Sequence, residues 1–391
     1  SERGVSTPGI PDRMAEVLGR LQGVALPIDL WEQSVLPARV PGYSPRWLDD
    51  WVAGGSGVWV FRGENVAFYH RGIVSQLSPD LGSSQEESTR LVAETLHRSG
   101  AAFLSDLAIE TGLAPSDVRK RLWELARCGL VSCDRVEVAR RGEPTDDSAK
   151  ALRPTLRAMR RQVTQRPEGR WQLLKWGRPT PEERAIAECS LLLERYGLAA
   201  RELASMDDNL LPWRVLYEVL SRLELSGEVR RGYFVEGLSG AQFALPEAFE
   251  LLIDAPSTIS ATVILVHSMD PANLYGAGAP FDVALLDGGT RSLLRRPGNW
   301  VALKAGRPIL LVEAQGKKIT ALPSASREDI TAAVKTLPGI FERQKDLTLR
   351  HKLTVEEWNG TPVTAGPGRE LLEAAGFVRD YNGMTLYAAW R

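Results

Sequence analysis

A pattern of three helices followed by a β-ribbon occurs twice in this chain, in residues 85–142 and in residues 180–250. In the first copy, the predicted helices cover 86–98, 103–111 and 115–127. The third helix carries four apolar residues at helical spacing, namely Val118, Leu122, Leu125 and Ala126. The stretch LVSCDRVEVARR that follows is predicted to form a two-stranded wing. Because three helices and a hairpin in this order are typical of a winged helix-turn-helix, this pattern restricts the fold more than any other feature.

The second copy begins at a capping box formed by Thr180 and Glu183, which predicts a helix that ends at Gly197. A short helix is predicted over 199–205, Pro212 opens the third helix, and EVRRGYFVEG is predicted to be the wing. Two similar units in tandem form an internal repeat. A repeat of a DNA-reading shape favours nucleic acid as the partner.

The rest of the chain divides into three segments. Residues 1–80 are predicted to be an N-terminal helical segment plus a hairpin, 143–179 a basic connector, and 255–391 an α+β C-terminal domain. In the last segment, the predicted elements are a strand meander over 301–322, a helix near 326–338, a strand near 346–356, a helix near 368–375 and a strand near 384–390. The predicted fold class is α+β, with tandem winged-helix modules, a β-rich, barrel-like C-terminal domain and no RecA-like motor domain. Because Ser1 stands where an initiator methionine would, we expect a piece of a longer protein or a processed product.

Composition excludes several classes of function. The 48 Lys and Arg residues and the 49 Asp and Glu residues nearly cancel, which excludes a polybasic binder but not a local basic surface. No apolar run reaches the ~18 residues of a membrane span, so no membrane partner is expected. The three cysteines suit a reducing, cytoplasmic compartment. The phosphate-binding loop G-x-x-x-x-G-K-[ST] is absent, and no close-spaced Cys/His pairs occur, so we expect no ATP hydrolysis, no metal and no cofactor.

The third helix of the first unit is the strongest candidate for contact with nucleic acid. Four of its side chains are predicted to lie opposite the apolar stripe: Arg119, Lys120, Trp123 and Arg127. Cations on such a helix can contact phosphates and base edges, and an exposed indole can stack on an unpaired base. Two alternatives stay open: a solvated charged face, and a tryptophan packed between modules.

Further cations lie in the connector and in the second wing. Between Leu152 and Arg178 the sequence has eight Lys or Arg residues and one acid, which predicts phosphate contacts without sequence preference or, alternatively, a flexible solvated linker. The candidates there are Arg160, Arg161 and Arg170. The third helix of the second unit has balanced charges and is predicted to pack rather than to read DNA. Its wing retains Arg230 and Arg231 for phosphate contact.

Several blocks of the sequence resemble the C-terminal part of the Lhr (large helicase-related) superfamily 2 DNA helicases. They are LQGVALPIDLWEQSVLPARVPGYSPRWLDD, FLSDLAIETGLAPSDVRKRLWELARCGLVS, GEVRRGYFVEGLSGAQFALPEA and DPANLYGA. The resemblance implies winged-helix modules and a β-rich domain, which normally accompany two RecA-like motor domains of the same polypeptide. The missing phosphate loop agrees with a segment that lacks those motors.

A more distant resemblance links LGRLQGVALPIDLWEQSVLPARVPGYSPRWLDD to the AlkZ/YcaQ-type winged-helix DNA glycosylases. That family uses a glutamine, an apolar residue and then Asp or Gln to position water at the glycosidic carbon. Gln22 matches the first glutamine, but Val24 stands where the Asp or Gln should be. The resemblance therefore implies Gln22 as a catalytic candidate, with Asp29 as a substitute carboxylate, or a structural role for Gln22.

Three functions stay open. The first is a DNA-binding accessory region of an Lhr-type ATP-dependent helicase in DNA repair, with single-stranded or duplex DNA as partner and a possible homo-oligomer. The second is an N-glycosylase that excises a deaminated or alkylated base. The third is a regulator or assembly scaffold that does not contact DNA.

Overall fold

The structure is a computed structural model that describes residues 9–77, 86–143, 169–207, 209–254, 262–276, 282–286, 288–342, 352–381 and 383–387. The chain forms two compact units. The first comprises Ser1–Glu32 and Ala38–Leu191, and the second comprises Gln33–Pro37 and Leu192–Arg391. Among the described residues, no helix combines the length and the apolar character needed to cross a membrane.

The N-terminal part of the chain contains three helices and a hairpin. The elements are α1 (Ile10–Arg20), α2 (Ile28–Leu30, continued by a π-helical turn over Trp31–Val35), α3 (Pro45–Ala53), β1 (Gly57–Arg62) and β2 (Asn65–His70). Pro45 occupies the first turn of α3, where a missing N–H costs nothing, and Ser44 precedes it without a side-chain cap hydrogen bond. Arg62 pairs with Asn65 across the hairpin, and Gly63 in the turn between them has a φ of +60°, which favours glycine. The predicted N-terminal helices and hairpin are confirmed.

A second set of helices and strands completes the first unit. It consists of α4 (Glu87–Ser99), β3 (Ala101–Ala102), α5 (Leu104–Thr111), α6 (Pro115–Arg127), β4 (Val131–Cys133), α7 (Val136–Arg141) and β5 (Trp171–Leu173). The strands pair in the order β3-β5-β4, and α4, α5 and α6 pack on one another. The three helices predicted for residues 85–142 are confirmed.

The predicted wing and connector need correction. Only β4 of the stretch LVSCDRVEVARR is a strand, because VEVARR forms the helix α7. The strand that pairs with β4 is β5, which comes from within the predicted connector, with Cys133 opposite Trp171. Residues 143–179 therefore do not simply join two modules: the chain leaves the sheet at β4 and returns to it at β5.

The second repeat has the same topology. Its elements are α8 (Pro181–Tyr196), β6 (Leu198–Ala199), α9 (Arg201–Ala204), α10 (Trp213–Ser226), β7 (Arg230–Gly232), β8 (Gln242–Ala244) and α11 (Pro246–Ile253). The strand order β6-β8-β7 reproduces β3-β5-β4 of the first repeat, because in both the strand after the first helix pairs with the last strand. The capping box is present, since the Thr180 N–H donates to Glu183 at 2.8 Å and the Glu183 N–H donates to the Thr180 hydroxyl at 3.2 Å. The internal repeat is confirmed.

The remainder of the second unit is α+β and rich in strands. The strands are β9 (Val263–His267), β10 (Val283–Ala284), β11 (Thr290–Arg291), β12 (Trp300–Lys304), β13 (Arg307–Glu313), β14 (Lys318–Ala321), β15 (Lys352–Val355), β16 (Glu357–Trp358), β17 (Thr361–Pro362), β18 (Val378–Asp380) and β19 (Gly383–Tyr387). The helices are α12 (Arg327–Val334), α13 (Gly339–Glu342) and α14 (Gly368–Ala374).

The described strands of this α+β domain form three sheets, of which the smallest is the antiparallel pair of β10 and β11. A six-stranded sheet runs in the order β17-β16-β14-β13-β12-β9, and a three-stranded sheet in the order β15-β19-β18. The predicted meander is β12–β13–β14, and the predicted β-rich character is confirmed. The six-stranded sheet has different strands at its two edges, so it is open rather than barrel-like. One apolar core, which includes Leu310, Trp358 and Leu372, joins strands and helices of this domain.

Candidate nucleic-acid interface

Helix α6 is held by its apolar side and presents two cations to solvent. Val118, Leu122 and Ala126 are fully buried, as their spacing predicts. Lys120 is exposed, and Arg127 is exposed and paired with Glu143. Arg119 is half-buried. Of the predicted cations of α6, Lys120 and Arg127 are therefore the two that are exposed to solvent.

A further arginine of the same helix, Arg121, has a different role. Its guanidinium pairs with Glu86 and lies 2.8 Å from the Glu124 carboxylate. Thr89 donates a hydrogen bond to Glu124 at 2.8 Å. Burial alone would raise the pKa of Glu124, but the hydrogen bonds from Thr89 and Arg121 outweigh it, and the pKa lies below its ordinary value. Arg121 therefore joins α6 to the start of α4 rather than facing a ligand.

The prediction that the Trp123 indole is exposed is wrong. The side chain is only 5% exposed, and its ring lies 5.5 Å from the ring of Phe61 and 6.4 Å from that of Trp171, measured between centroids. Strand β1 covers the side of α6 next to the apolar stripe, so a position just outside the predicted stripe is also buried. Trp123 is a core residue in this structure, and its ring is not available to stack on a base.

The three candidate arginines of the predicted connector differ in whether the structure describes them. Arg160 and Arg161 lie outside the described residues. The Nε of Arg170 lies 3.1 Å from the Asp134 carboxylate, which also accepts a hydrogen bond from the Arg170 backbone N–H at 2.8 Å. Trp171, which follows, is fully buried in β5. Arg170 is thus an exposed cation at the edge of a sheet, with its backbone fixed by Asp134.

The wing of the second repeat presents Arg230 and Arg231, both exposed. The Arg230 guanidinium lies 4.6 Å from the centroid of the Phe249 ring, a cation–π arrangement. Arg231 lies 3.4 Å from Glu224, which comes from the end of α10. Both cations are near the turn between β7 and β8, as the sequence predicts for a wing.

The two catalytic candidates differ in their surroundings. Gln22 is buried, and its side-chain oxygen accepts a hydrogen bond from the His70 backbone N–H at 2.9 Å. This bond ties the loop after α1 to the end of β2, which agrees with the structural alternative. Asp29 is exposed in the first turn of α2. The structure thus leaves the Asp29 carboxylate accessible, whereas the Gln22 oxygen already has a partner.

A buried ion-pair network in the first unit was not predicted. Arg140 of α7 donates to Glu32 at 2.8 Å and to Asp49 at 2.8 Å, and the Tyr43 hydroxyl donates to Glu32 at 3.1 Å. Burial raises the pKa of Asp49 although Arg140 acts to lower it. Glu32 lies in the π-helical turn after α2, Tyr43 precedes α3, and no local pattern in the sequence connects them with Arg140. The network positions α7 against the N-terminal helices.

A second buried polar cluster lies at the end of β9 in the α+β domain. The Asn273 amide donates to the Ser268 carbonyl at 2.8 Å, and the Asp270 carboxylate accepts from the Ala272 N–H at 2.8 Å. Burial lowers the pKa of His267 to about 4, although the charge of Asp270 opposes this. Among the described residues, no group of three or more His, Cys, Asp or Glu side chains is arranged to hold a metal ion.

Two segments of the chain match family models of known proteins. Residues 178–262 and residues 2–75 match models described as "Large helicase-related protein, winged-helix domain", for the fourth and the third such domain respectively. The first match contains the second repeat. The second match contains α1 to β2. The sequence pattern predicted only a helical segment plus a hairpin there, and it did not predict a winged-helix domain.

Two curated proteins are similar over nearly the whole chain. The chain is 31% identical over 388 residues to "Lhr helicase/ probable uracil glycosylase" of Mycolicibacterium smegmatis, which covers 92% of the chain and 25% of that protein. It is 29% identical over 419 residues to "Lhr helicase/uracil glycosylase" of Escherichia coli, which covers 97% of the chain and 26% of that protein. The chain therefore spans about a quarter of the length of these relatives. The matches confirm the predicted resemblance to the C-terminal region of Lhr proteins.

Proposed function

The chain matches the winged-helix part of large helicase-related (Lhr) proteins, and from this we propose that it is the DNA-binding C-terminal accessory region of an Lhr-type helicase. In this proposal the region grips single-stranded or duplex DNA in the cytoplasm during DNA repair. The motor domains belong to another part of the same polypeptide, because the chain lacks a phosphate-binding loop and spans only a quarter of its relatives. The isolated chain is expected to turn over no ATP.

The observation that carries the proposal is the repeated winged-helix topology with exposed cations. Lys120 and Arg127 project from α6, the third helix of its repeat, which is the helix that a winged helix-turn-helix places in the major groove. Arg230 and Arg231 project from the wing of the other repeat. With a net charge of −1, the chain offers DNA local cations rather than a uniformly basic surface.

The test is DNA binding measured against salt concentration by fluorescence anisotropy with a labelled duplex. Each lost phosphate contact should reduce the slope of log affinity against log salt by about 1, so Lys120→Ala with Arg127→Ala should reduce it by about 1–2. Lys335→Ala removes an exposed lysine of the α+β domain and serves as the matched control. An affinity and a slope unchanged by the double substitution would remove α6 from the interface, and absence of any salt-dependent binding would refute the proposal.

We propose uracil excision as a second candidate, because both relatives are named as an Lhr helicase and a uracil glycosylase, the one from Mycolicibacterium smegmatis as a probable one. In the reaction the bond between the sugar C1′ and uracil N1 breaks, water adds its oxygen to C1′, and uracil leaves carrying the proton. The exposed Asp29 carboxylate is the candidate to stabilise the positively charged sugar. The Gln22 side-chain oxygen accepts a hydrogen bond from the His70 backbone N–H, so Gln22 would maintain the loop before Asp29.

This second candidate is tested with a labelled oligonucleotide that contains one deoxyuridine, followed by alkali. Strand breaks at the uracil that Asp29→Asn abolishes would support it. Asp50→Asn, which changes an exposed carboxylate of α3, is the matched control. If the wild-type chain binds the oligonucleotide but leaves it intact, the region is a binding module without glycosylase activity.

A further inference from the structure

A tyrosine projects into solvent from the wing of the second repeat. Tyr233 follows β7 and is 84% exposed, whereas its neighbour Phe234 is half-buried and packs edge-on against Phe249 with ring centroids 6.0 Å apart. A tyrosine ring combines an apolar face with a polar tip, so an exposed ring can pack against an apolar or aromatic ligand. The ring of Tyr233 is therefore available to a ligand.

The backbone under Tyr233 is held by a fully buried glutamine. The Gln242 side-chain oxygen accepts from the N–H groups of Phe234 at 3.0 Å and Val235 at 2.8 Å. Its amide nitrogen donates to the Val235 carbonyl at 2.9 Å. On the other side, Gly232 pairs with Gln242 in the ladder between β7 and β8. Because the residues on both sides are held, Tyr233 projects from a rigid base, and little order has to be gained on binding.

Two cations precede the tyrosine in sequence and lie on the strand that leads to it. Arg230 and Arg231 belong to β7 and are exposed. Arg230 lies over the ring of Phe249, and Arg231 is shared between Glu224 at 3.4 Å and the Tyr217 hydroxyl at 3.4 Å. Exposed guanidinium groups can approach a phosphate while keeping such weak contacts. Proteins that bind single strands without sequence preference combine cations for the backbone with aromatic rings on which bases stack.

We propose that Tyr233 is a stacking platform for an unpaired base of single-stranded DNA, with Arg230 and Arg231 contacting the flanking phosphates. The inference rests on the proposed DNA-binding function. It adds to that function a base-stacking residue and a preference for single-stranded DNA. Glu224 competes with phosphate for Arg231, so the wing binds DNA with one cation partly neutralised. The wing thus recognises unpaired bases rather than duplex shape.

The experiment measures the affinity of the whole chain for a labelled oligo-dT strand, for the same strand with abasic residues in place of its bases, and for a blunt duplex. Base stacking is worth about 1–3 kcal/mol, so Tyr233→Ala should weaken binding to oligo-dT about 5- to 150-fold. Tyr233→Phe should keep the wild-type affinity because it keeps the ring, whereas Tyr233→Leu should not. The wild-type chain should bind the abasic strand weakly. The affinity of Tyr233→Ala for this strand should be close to that of the wild-type chain. Duplex affinity should change less than about twofold in every variant, because paired bases are not available to stack.

Tyr381, which is 96% exposed in the turn between β18 and β19, provides the matched control, and Tyr381→Ala should bind as wild type does. Thermal midpoints of all variants should agree, because both tyrosines are exposed. If the wild-type chain binds oligo-dT and Tyr233→Ala binds it equally well, the stacking role is wrong while DNA binding stands. Wild-type affinity for oligo-dT in Tyr233→Leu would also overturn stacking. A wild-type chain that binds no DNA would overturn this inference together with the proposed function.

Discussion

Replacing Arg140 by methionine is expected to destabilise the first unit more than any other single loss of charge in its described part. The Glu32 side chain is only 2% exposed, and its carboxylate receives hydrogen bonds from Arg140 at 2.8 Å and from Tyr43 at 3.1 Å. Methionine keeps much of the arginine's apolar stem but leaves the Glu32 charge buried beside a neutral group. Removing one partner of a buried ion pair costs about 3–5 kcal/mol.

The second partner adds little to this cost. The Asp49 side chain is 38% exposed, so its pairing with Arg140 is screened by solvent and contributes about 0–1 kcal/mol. The expected loss therefore comes from Glu32. For a unit of this size each kcal/mol lowers the thermal midpoint by about 2–4 °C, so the midpoint should fall by roughly 6–20 °C.

The assay is thermal unfolding followed by tryptophan fluorescence, since the first unit contains the fully buried residues Trp31, Trp59 and Trp171. Arg141→Met is the matched control, because Arg141 is the next residue and pairs at 2.8 Å with the exposed Glu137. Its midpoint should change by no more than about 2 °C. Adding Glu32→Leu to Arg140→Met should restore most of the loss, because an apolar pair carries no desolvation penalty. A midpoint for Arg140→Met that matches that of Arg141→Met would refute the assignment of the loss to buried Glu32.

Three further predictions test other parts of the structure. Trp123→Ala should lower the free energy of unfolding by about 3–5 kcal/mol, because it empties a buried site beside Phe61. The DNA affinity of the folded protein should stay unchanged. A loss of affinity at an unchanged thermal midpoint would contradict this prediction. The second unit should lose stability as the pH falls from about 6.5 to 4, because His267 is held neutral when folded, with a pKa of about 4, but takes up a proton when unfolded. In a plot of thermal midpoint against pH, His267→Gln should show a smaller slope than the wild-type chain. Equal slopes would refute this role of His267. Glu224→Gln should strengthen single-strand binding severalfold at low salt, because it removes the competitor of Arg231, and weaker binding in anisotropy titrations would oppose that role.

Local patterns were sufficient to predict helices and adjacent strands. The limits of α6 follow from Pro115 at its start and apolar residues at helical spacing, and those of α8 follow from the capping box at Thr180. The meander β12–β13–β14 is joined by short turns, so its strands pair with their neighbours in sequence. In each case the interacting residues are a few positions apart, and their spacing is visible in the sequence.

The errors concern partners that are far apart in sequence. The stretch VEVARR alternates as a strand would, but its backbone groups are hydrogen-bonded in α7, and the partner of β4 comes from β5. Trp123 lies next to the apolar stripe of α6, and only the approach of β1 decides that its indole is buried. The winged-helix domain of residues 2–75 has no regular helical pattern in its second helix, which is short and continues as a π-helical turn, so its sequence does not show the domain type.

The candidate sites divide in the same way. The sequence by itself determined the repeated winged-helix order, the cations Lys120, Arg230 and Arg231, and the missing phosphate loop, because each depends on residue type and local spacing. Only the tertiary structure decided that Arg140 neutralises Glu32, 108 residues away, and that Gln242 fixes the backbone beneath Tyr233. Burial and ion pairing depend on which segments pack against each other in the folded chain. The free energy of a buried charge therefore depends on partners that are distant in sequence, and no single stretch of the sequence determines it.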